Sequence, residues 1–282
     1  MEVISKTNKL KAVLRKARCA GLEIGFVPTM GALHDGHLAL VQRAREIADL
    51  VVVSIFVNPV QFGPHEDYER YPRNLSHDVE LLTRLGVDYV FAPGVDEIYP
   101  TGFDTFVDVK ELTTPLCGRK RPGHFRGVAT VVAKLFSIIQ PMYAFFGQKD
   151  AQQVIIIQKM TADLDFPVDI RICPIVRETD GLAMSSRNQY LSPAERAAAP
   201  VLYRSLRRAA GMILEGERNA ATIRQGIEQE LAREPLVQPE YVEIVDTEKL
   251  APQDKIRGET LIALAATLGP TRLIDNLLVS VP

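Results

Sequence analysis

The chain has 282 residues, 46% of them hydrophobic, with 33 basic and 35 acidic side chains and a net charge of -2. That length supports a sizeable core in one large or two smaller domains, and the charge balance excludes a bulk nucleic-acid or anionic-membrane surface. Three scattered cysteines, Cys19, Cys117 and Cys173, exclude a disulfide framework or metal knuckle and fit a reducing cytoplasm; residues 1–7 lack an export signal's apolar core, and no apolar run approaches the roughly 18 residues needed to cross a bilayer.

In chain order, Thr7 is placed to cap a first helix with Leu10, Val13, Leu14 and Ala17 on its apolar side and Gly21 as its stop. Residues 22–27 read as a short buried strand that Pro28 ends, because proline cannot continue a ladder. Gly31 and Gly36 then let the backbone approach a ligand, and Leu38, Val41, Ala44, Ile47 and Ala48 recur at helical spacing. The stretch is strand, phosphate loop, helix, with His37 in or beside the first helical turn. Free N–H groups and the positive end of the macrodipole favour an anion there, and His34 and His37, three apart, add two donors. The pair points at a nucleotide triphosphate. A zinc pair is disfavoured, since no cysteine lies near and a third ligand would have to come from Asp35 or a distant acid. Two unconnected surface histidines are the plain alternative; the flanking strand, glycines and helix argue against it.

Residues 50–57 are apolar on both faces, the pattern of a parallel sheet covered by helices on both sides. A helix over 76–85 closed by Gly86, a strand over 88–92, a strand-like alternation over 103–109 and a glycine-rich basic stretch over 116–127 follow. Val128, Val131, Val132, Leu135, Phe136 and Ile139 mark a long buried helix, and strands at 143–146 and 168–172 flank a helix over 151–160. This alternation predicts an α/β fold, a Rossmann-type doubly wound parallel sheet with its ligand at the carboxyl ends of the strands. Composition shifts near Val176: a polar stretch over 177–191 leads to helices within 193–215 and 219–233 and strands at 241–245, 261–265 and 273–279. The expected division is a first domain over 1–176 and a smaller α+β domain over 177–282. Segment 103–109 and the last two strands are the expected contact surfaces for a second copy.

Gly147, Gln148, Lys149 and Asp150 follow a strand and open a helix, so Lys149 offers a compact charge to a phosphate, while Asp150 accepts from a ribose hydroxyl or caps the helix. Met184, Ser185, Ser186, Arg187 and Asn188 put two hydroxyls and a guanidinium at the domain junction, where clefts form. Gln61, in the segment that begins Asn58-Pro59, and Gln153 are neutral amides suited to a small polar substrate. Arg119, Lys120, Arg121, His124 and Arg126 either face the phosphates or an acidic substrate, or form a solvated loop. No Ser-His-Asp or Cys-His nucleophile is present in the pattern.

Five segments, Pro28 to His37, Phe56 to Phe62, Arg121 to Val128, Phe146 to Gln153 and Met184 to Asn188, in this order and over nearly the whole chain, closely resemble the pantothenate synthetase family, the AMP-forming pantoate:beta-alanine ligases. The His-x-Gly-His signature alone is shared with class I aminoacyl-tRNA synthetases and nucleotidylyltransferases. The resemblance implies a C-terminal lid domain, a cytoplasmic homodimer and a two-step reaction with magnesium. ATP and pantoate give pantoyl adenylate and pyrophosphate, and beta-alanine then releases AMP. It implies an ATP site of Met30, Gly31, Ala32, Leu33, His34, Asp35, Gly36 and His37, completed by Gly147, Gln148, Lys149, Asp150, Val176, Met184, Ser185, Ser186 and Arg187. His34, His37, Lys149 and Arg187 carry the catalysis, with His37 the proton donor. Gln61 and Gln153 hold pantoate, and Gln61 also meets beta-alanine. The family's acidic residues associated with the metal fall at His77-Asp78, which leaves Asp78 as the implied magnesium neighbour.

Three other readings compete. A nucleotidylyltransferase acting on a phosphorylated acceptor shares the histidine pair but calls for cations where Gln61 and Gln153 lie. A non-catalytic nucleotide-binding regulator binds ATP without carboxylate-dependent turnover. A tRNA synthetase is disfavoured by the absence of a basic bias in the last hundred residues.

Overall fold

Alternate side chains of the apolar strands enter two separate cores, which is why those runs show no polar face. The computed structural model describes residues 1–64 and 66–281. Strands β1 (Glu2–Ile4), β2 (Ile24–Thr29), β3 (Leu50–Ile55), β4 (Tyr89–Phe91), β5 (Tyr143–Gly147) and β6 (Asp169–Cys173) form one parallel sheet in the order β1-β4-β3-β2-β5-β6. Phe26, Val52, Ala144 and Phe146 pack with α1 (Thr7–Cys19), α6 (His124–Ile139) and α7 (Ala151–Asp163). Val27, Val51, Val53 and Phe145 pack with α2 (Asp35–Ile47) and α3 (Leu75–Arg84). Each fully buried Val or Phe among these stabilises the fold by ~1.5–3 kcal/mol. Two one-turn helices, α4 (Val95–Ile98) and α5 (Cys117–Lys120), lie in the connection from β4 to α6. The chain runs outward from β2 to β3 and β4, then crosses back to β5 and β6. The strand order therefore reverses between β2 and β5, and a crevice opens at their carboxyl ends.

Several local expectations are corrected. Pro28 lies inside β2, paired in register with Ser54, and the strand continues to Thr29. Its missing donor is on the β5 side, where pairing with β2 covers only Gly25 and Phe26, so no ladder bond is lost. Thr7 does not cap α1 with its side chain; its N–H instead donates to Glu97 Oε1 at 2.8 Å, a partner 90 residues away. Residues 103–109 form no strand. Val107 N donates to Thr130 Oγ1 on α6 at 3.0 Å, and the Phe103 and Phe106 rings lie under Lys134 at 4.4 Å and Arg126 at 4.2 Å. The short edge strand β1 had no sequence signal.

The C-terminal part contains α8 (Pro193–Ala198), α9 (Val201–Leu214), α10 (Ala220–Leu231) and an antiparallel sheet of β7 (Val237–Asp246), β8 (Gly258–Leu268) and β9 (Thr271–Val281) in that order. Ile262, Leu264 and Ala266 face the core made with α9 and α10, whereas Leu261 and Ala263 enter the core beneath the parallel sheet. Residues Leu261 to Ala265 of β8 are thus buried on both faces within one chain.

Candidate active site

The crevice is built from the loop between β2 and α2 and the turn after β5. A cleft of about 240 Å³ lies there, lined by Met30, His34, Gly36, His37, Gln61, Gly147, Lys149, Asp150, Gln153, Val176, Met184, Ser185, Ser186 and Arg187. Five other residues expected at the ATP site stay outside its wall. Gly31 and Ala32 contribute backbone, Leu33 points into the core below α2, Asp35 is exposed, and Gln148 Nε2 donates to Asn276 Oδ1 at 3.4 Å.

His34 is the N-cap residue of α2, its Nδ1 accepting from Gly36 N at 3.1 Å, while His37 Nδ1 accepts from His34 N at 3.4 Å. Both rings, 4.1 Å apart, therefore carry their proton on Nε2. Burial, then Lys149, lowers the His34 pKa to about 4, and burial, then His34 and Lys149, lowers that of His37 to about 3. At neutral pH the pair is two uncharged N–H donors beside a lysine. Such a set suits phosphate oxygens, whose own charge pulls the imidazole pKa values back up.

The Gln61 amide is oriented from behind. Asn58, 1% exposed, donates through Nδ2 to Gln61 Oε1 at 3.0 Å and to Gly127 O at 3.1 Å, and its Oδ1 accepts from Tyr99 OH at 2.8 Å. With Oε1 taken, Gln61 presents its Nε2 donors, one directed to Met30 Sδ at 3.1 Å. Arg121 can only donate, so its 3.0 Å bond to His124 Nε2 leaves the ring proton on Nδ1, donated to Gln61 O at 2.8 Å. Burial, then Arg121, lowers His124 to about 4. The basic segment thus divides: Arg121 and His124 line the cleft, whereas Arg119 pairs with Glu243, Arg126 covers Phe106 and Lys120 is exposed.

These three depressed histidines set an acid limit. Between pH 6.5 and about 4 the unfolded chain takes up protons that the folded chain refuses, so stability falls as pH falls, by up to ~1.4 kcal/mol per pH unit for each ring. Urea melts at pH 7 and pH 5 are expected to show this loss, and a smaller one in His124→Gln. Equal slopes in the two proteins would mean that His124 is not held neutral.

Sequence reading missed Glu66, Asp67 and Tyr71, which lie in a connection without periodicity. Glu66 takes Arg121 bidentately at 2.6 and 2.5 Å, and Asp67 takes Arg187 at 3.0 and 2.9 Å. Tyr71 OH lies 3.3 Å from Ser186 Oγ. On the opposite side Asn276 of β9 donates to the carbonyls of Gln148 and Lys149, both at 3.0 Å. Asp78 is a correction. It is 1% exposed and outside the cleft, its Oδ2 and Oδ1 accepting from Ala32 N at 3.0 Å and Leu33 N at 2.9 Å. Among the described residues no group of three His, Cys, Asp or Glu side chains is arranged to hold a metal. Among the described residues Asp150 supplies a carboxylate to the cleft wall, so a magnesium ion there would take most of its ligands from phosphate and water.

Neutral and cationic donors converge at a topological switch point; this is the site of an enzyme that binds a nucleotide. The sequence profile described as pantoate-beta-alanine ligase matches residues 2–278. A pantothenate synthetase from Pelotomaculum thermopropionicum is 55% identical over 276 residues, covering 98% of each chain. The crystal structure of pantothenate synthetase from Thermus thermophilus superposes with a TM-score of 0.94 at 48% identity, over 98% of this chain and 99% of that one. The pantoate-beta-alanine ligase from Francisella tularensis, complexed with beta-gamma ATP and beta-alanine, gives 0.80 at 34% identity, over 99% of this chain and 97% of that one. The chain belongs to the pantoate-beta-alanine ligase family.

Proposed function

We propose that the protein condenses pantoate with beta-alanine, using ATP, through a pantoyl adenylate. The observation that carries this reading is the union in one cleft of His34, His37, Lys149 and Arg187 with the amides of Gln61 and Gln153. The pantoate carboxylate attacks the α-phosphorus and the bond to pyrophosphate breaks. The beta-alanine amine then attacks the acyl carbon, AMP leaves, and the amine loses a proton. Since the carboxylate is its own nucleophile, the protein supplies positioning and neutralises charge growing on the phosphates. Nε2–H of His34 and His37, with Lys149 and Arg187, are aimed at that charge, and His37 gains a proton to donate once phosphate raises its pKa. Gln61 and Gln153 bind pantoate without a charge, and Gln61 extends to beta-alanine. Arg187 and Arg121 meet substrate anions by exchanging Asp67 and Glu66 for them.

In this reading the 1–176 domain holds ATP and pantoate, and the 177–282 domain acts as a lid whose segment 185–187 shields the adenylate from water. Magnesium, when bound, would be held mainly by the triphosphate and water and would help to neutralise phosphate charge beside Lys149 and Arg187. A homodimer in a reducing cytoplasm completes it. The three cysteines are free and no helix among the described residues is long and apolar enough to cross a membrane.

The test is exchange of labelled pyrophosphate into ATP with pantoate present and beta-alanine absent. Pantoate-dependent exchange, followed by AMP and amide once beta-alanine is added, is the expected result. ATP binding with neither exchange nor AMP formation would overturn the reading.

A further inference from the structure

The loop that carries the phosphate-facing residues is held from beneath by a side chain that the reaction itself does not need. Ala32 has a φ of 51°, in the left-handed region that residues with a Cβ rarely adopt, and follows Gly31 at 81°. Two successive N–H groups, those of Ala32 and Leu33, turn inward as a result and end on the two oxygens of Asp78. That carboxyl is buried at 1% exposure, and no basic side chain among the described residues pairs with it. The fit is close, since a Cβ on Gly31 would lie 2.9 Å from Asp78 Oδ2. The next residue along is His34, the cap of α2, and the one before Gly31 is Met30, whose Sδ meets Gln61 Nε2.

We infer that Asp78 is a positioning residue, a clamp on two consecutive amides that keeps Ala32 left-handed and so fixes Met30, His34 and His37 in the cleft. It is not a magnesium ligand. Each oxygen accepts a backbone N–H, and the carboxyl is 1% exposed and lies outside the cleft wall, away from a cation bound with the phosphates. The inference rests on the proposed reaction for its kinetic consequences, but the clamp itself is measurable without turnover.

Asp78→Asn keeps the shape and replaces one acceptor with an NH2 that faces an N–H. It is expected to lower the pantoate-dependent exchange rate constant by ~10–100-fold, the cost of misplacing reacting groups by about 1 Å. The magnesium concentration giving half-maximal rate should stay within about two-fold of the parent, because no metal contact is lost. Adding Ala32→Gly to Asp78→Asn removes the left-handed penalty and is expected to recover much of the lost rate. A several-fold rise in the magnesium requirement, with normal rate at saturating magnesium, would overturn the inference in favour of a metal ligand. A normal rate in Asp78→Asn, or no recovery with glycine, would overturn it too. Amide hydrogen exchange of the unmodified protein tests the clamp even where the variant fails to fold or no exchange activity is found. Ala32 and Leu33 are expected to be protected together and more strongly than the exposed amide of Asp35. Free exchange at both would refute the clamp.

Discussion

Lys149→Ala is expected to lower the adenylation rate constant by ~10²–10³-fold, about 2.7–4 kcal/mol in the barrier, as for the loss of one preorganised donor to a developing anion, and His37→Ala by a similar factor. The lysine has a second effect that can be read separately. Its charge helps to hold both imidazoles far below their usual range, so its removal should raise the pKa of His34 and of His37. Single-turnover adenylation and histidine titration by NMR check the two effects in one variant. Near-normal turnover would remove Lys149 from the mechanism; a lost rate with unmoved histidines would place its ammonium farther from the rings than the cleft shows.

Gly127→Ala tests how pantoate is held. A Cβ at this position would lie 2.6 Å from Val60 O and 2.7 Å from Gln61 N, because α6 meets the turn carrying Gln61 backbone to backbone. That single methyl forces the turn away, which is expected to destabilise the fold by ~1–3 kcal/mol. It also pulls Gln61 off its hydrogen bonds and lowers kcat/KM for pantoate by ~10²-fold, with ATP affinity little changed. Urea melts and steady-state kinetics with each substrate varied separate the terms. A lowered melt with unchanged pantoate kinetics would show that Gln61 is not a pantoate contact.

The sheet and its helices were legible because their signals are local. Runs such as residues 50–57 have one explanation, burial on both faces, and β3 realises it with Val52 in one core and Val51 and Val53 in the other. The loop between β2 and α2 was legible for the same reason, since a strand, two glycines and a helical stripe adjoin in sequence. What escaped depends on partners far along the chain. Thr7 reads as a cap until Glu97 takes its N–H, and the alternation at 103–109 reads as a strand until α6 satisfies Val107. Asp67 and Glu66 stand out only once folding brings Arg187 and Arg121 to them. Asp78 shows the limit from the other side: an acid at a helix start fits a metal, a cap or a clamp, and only the inward turn of Ala32 and Leu33 selects among them.

The bond from Asn276 to the carbonyl of Lys149 spans 127 residues of sequence. During synthesis the parallel sheet has all its strands long before Asn276 is made. At ~5–20 residues per second the ribosome needs roughly 6–25 s to cover that interval. Throughout it the turn bearing Lys149 lacks the Asn276 amide that binds two of its carbonyls in the folded chain. A nascent chain can therefore be folded in its first half and still lack a finished nucleotide site, so the onset of ATP binding on stalled ribosomes should follow emergence of β9 rather than completion of the parallel sheet.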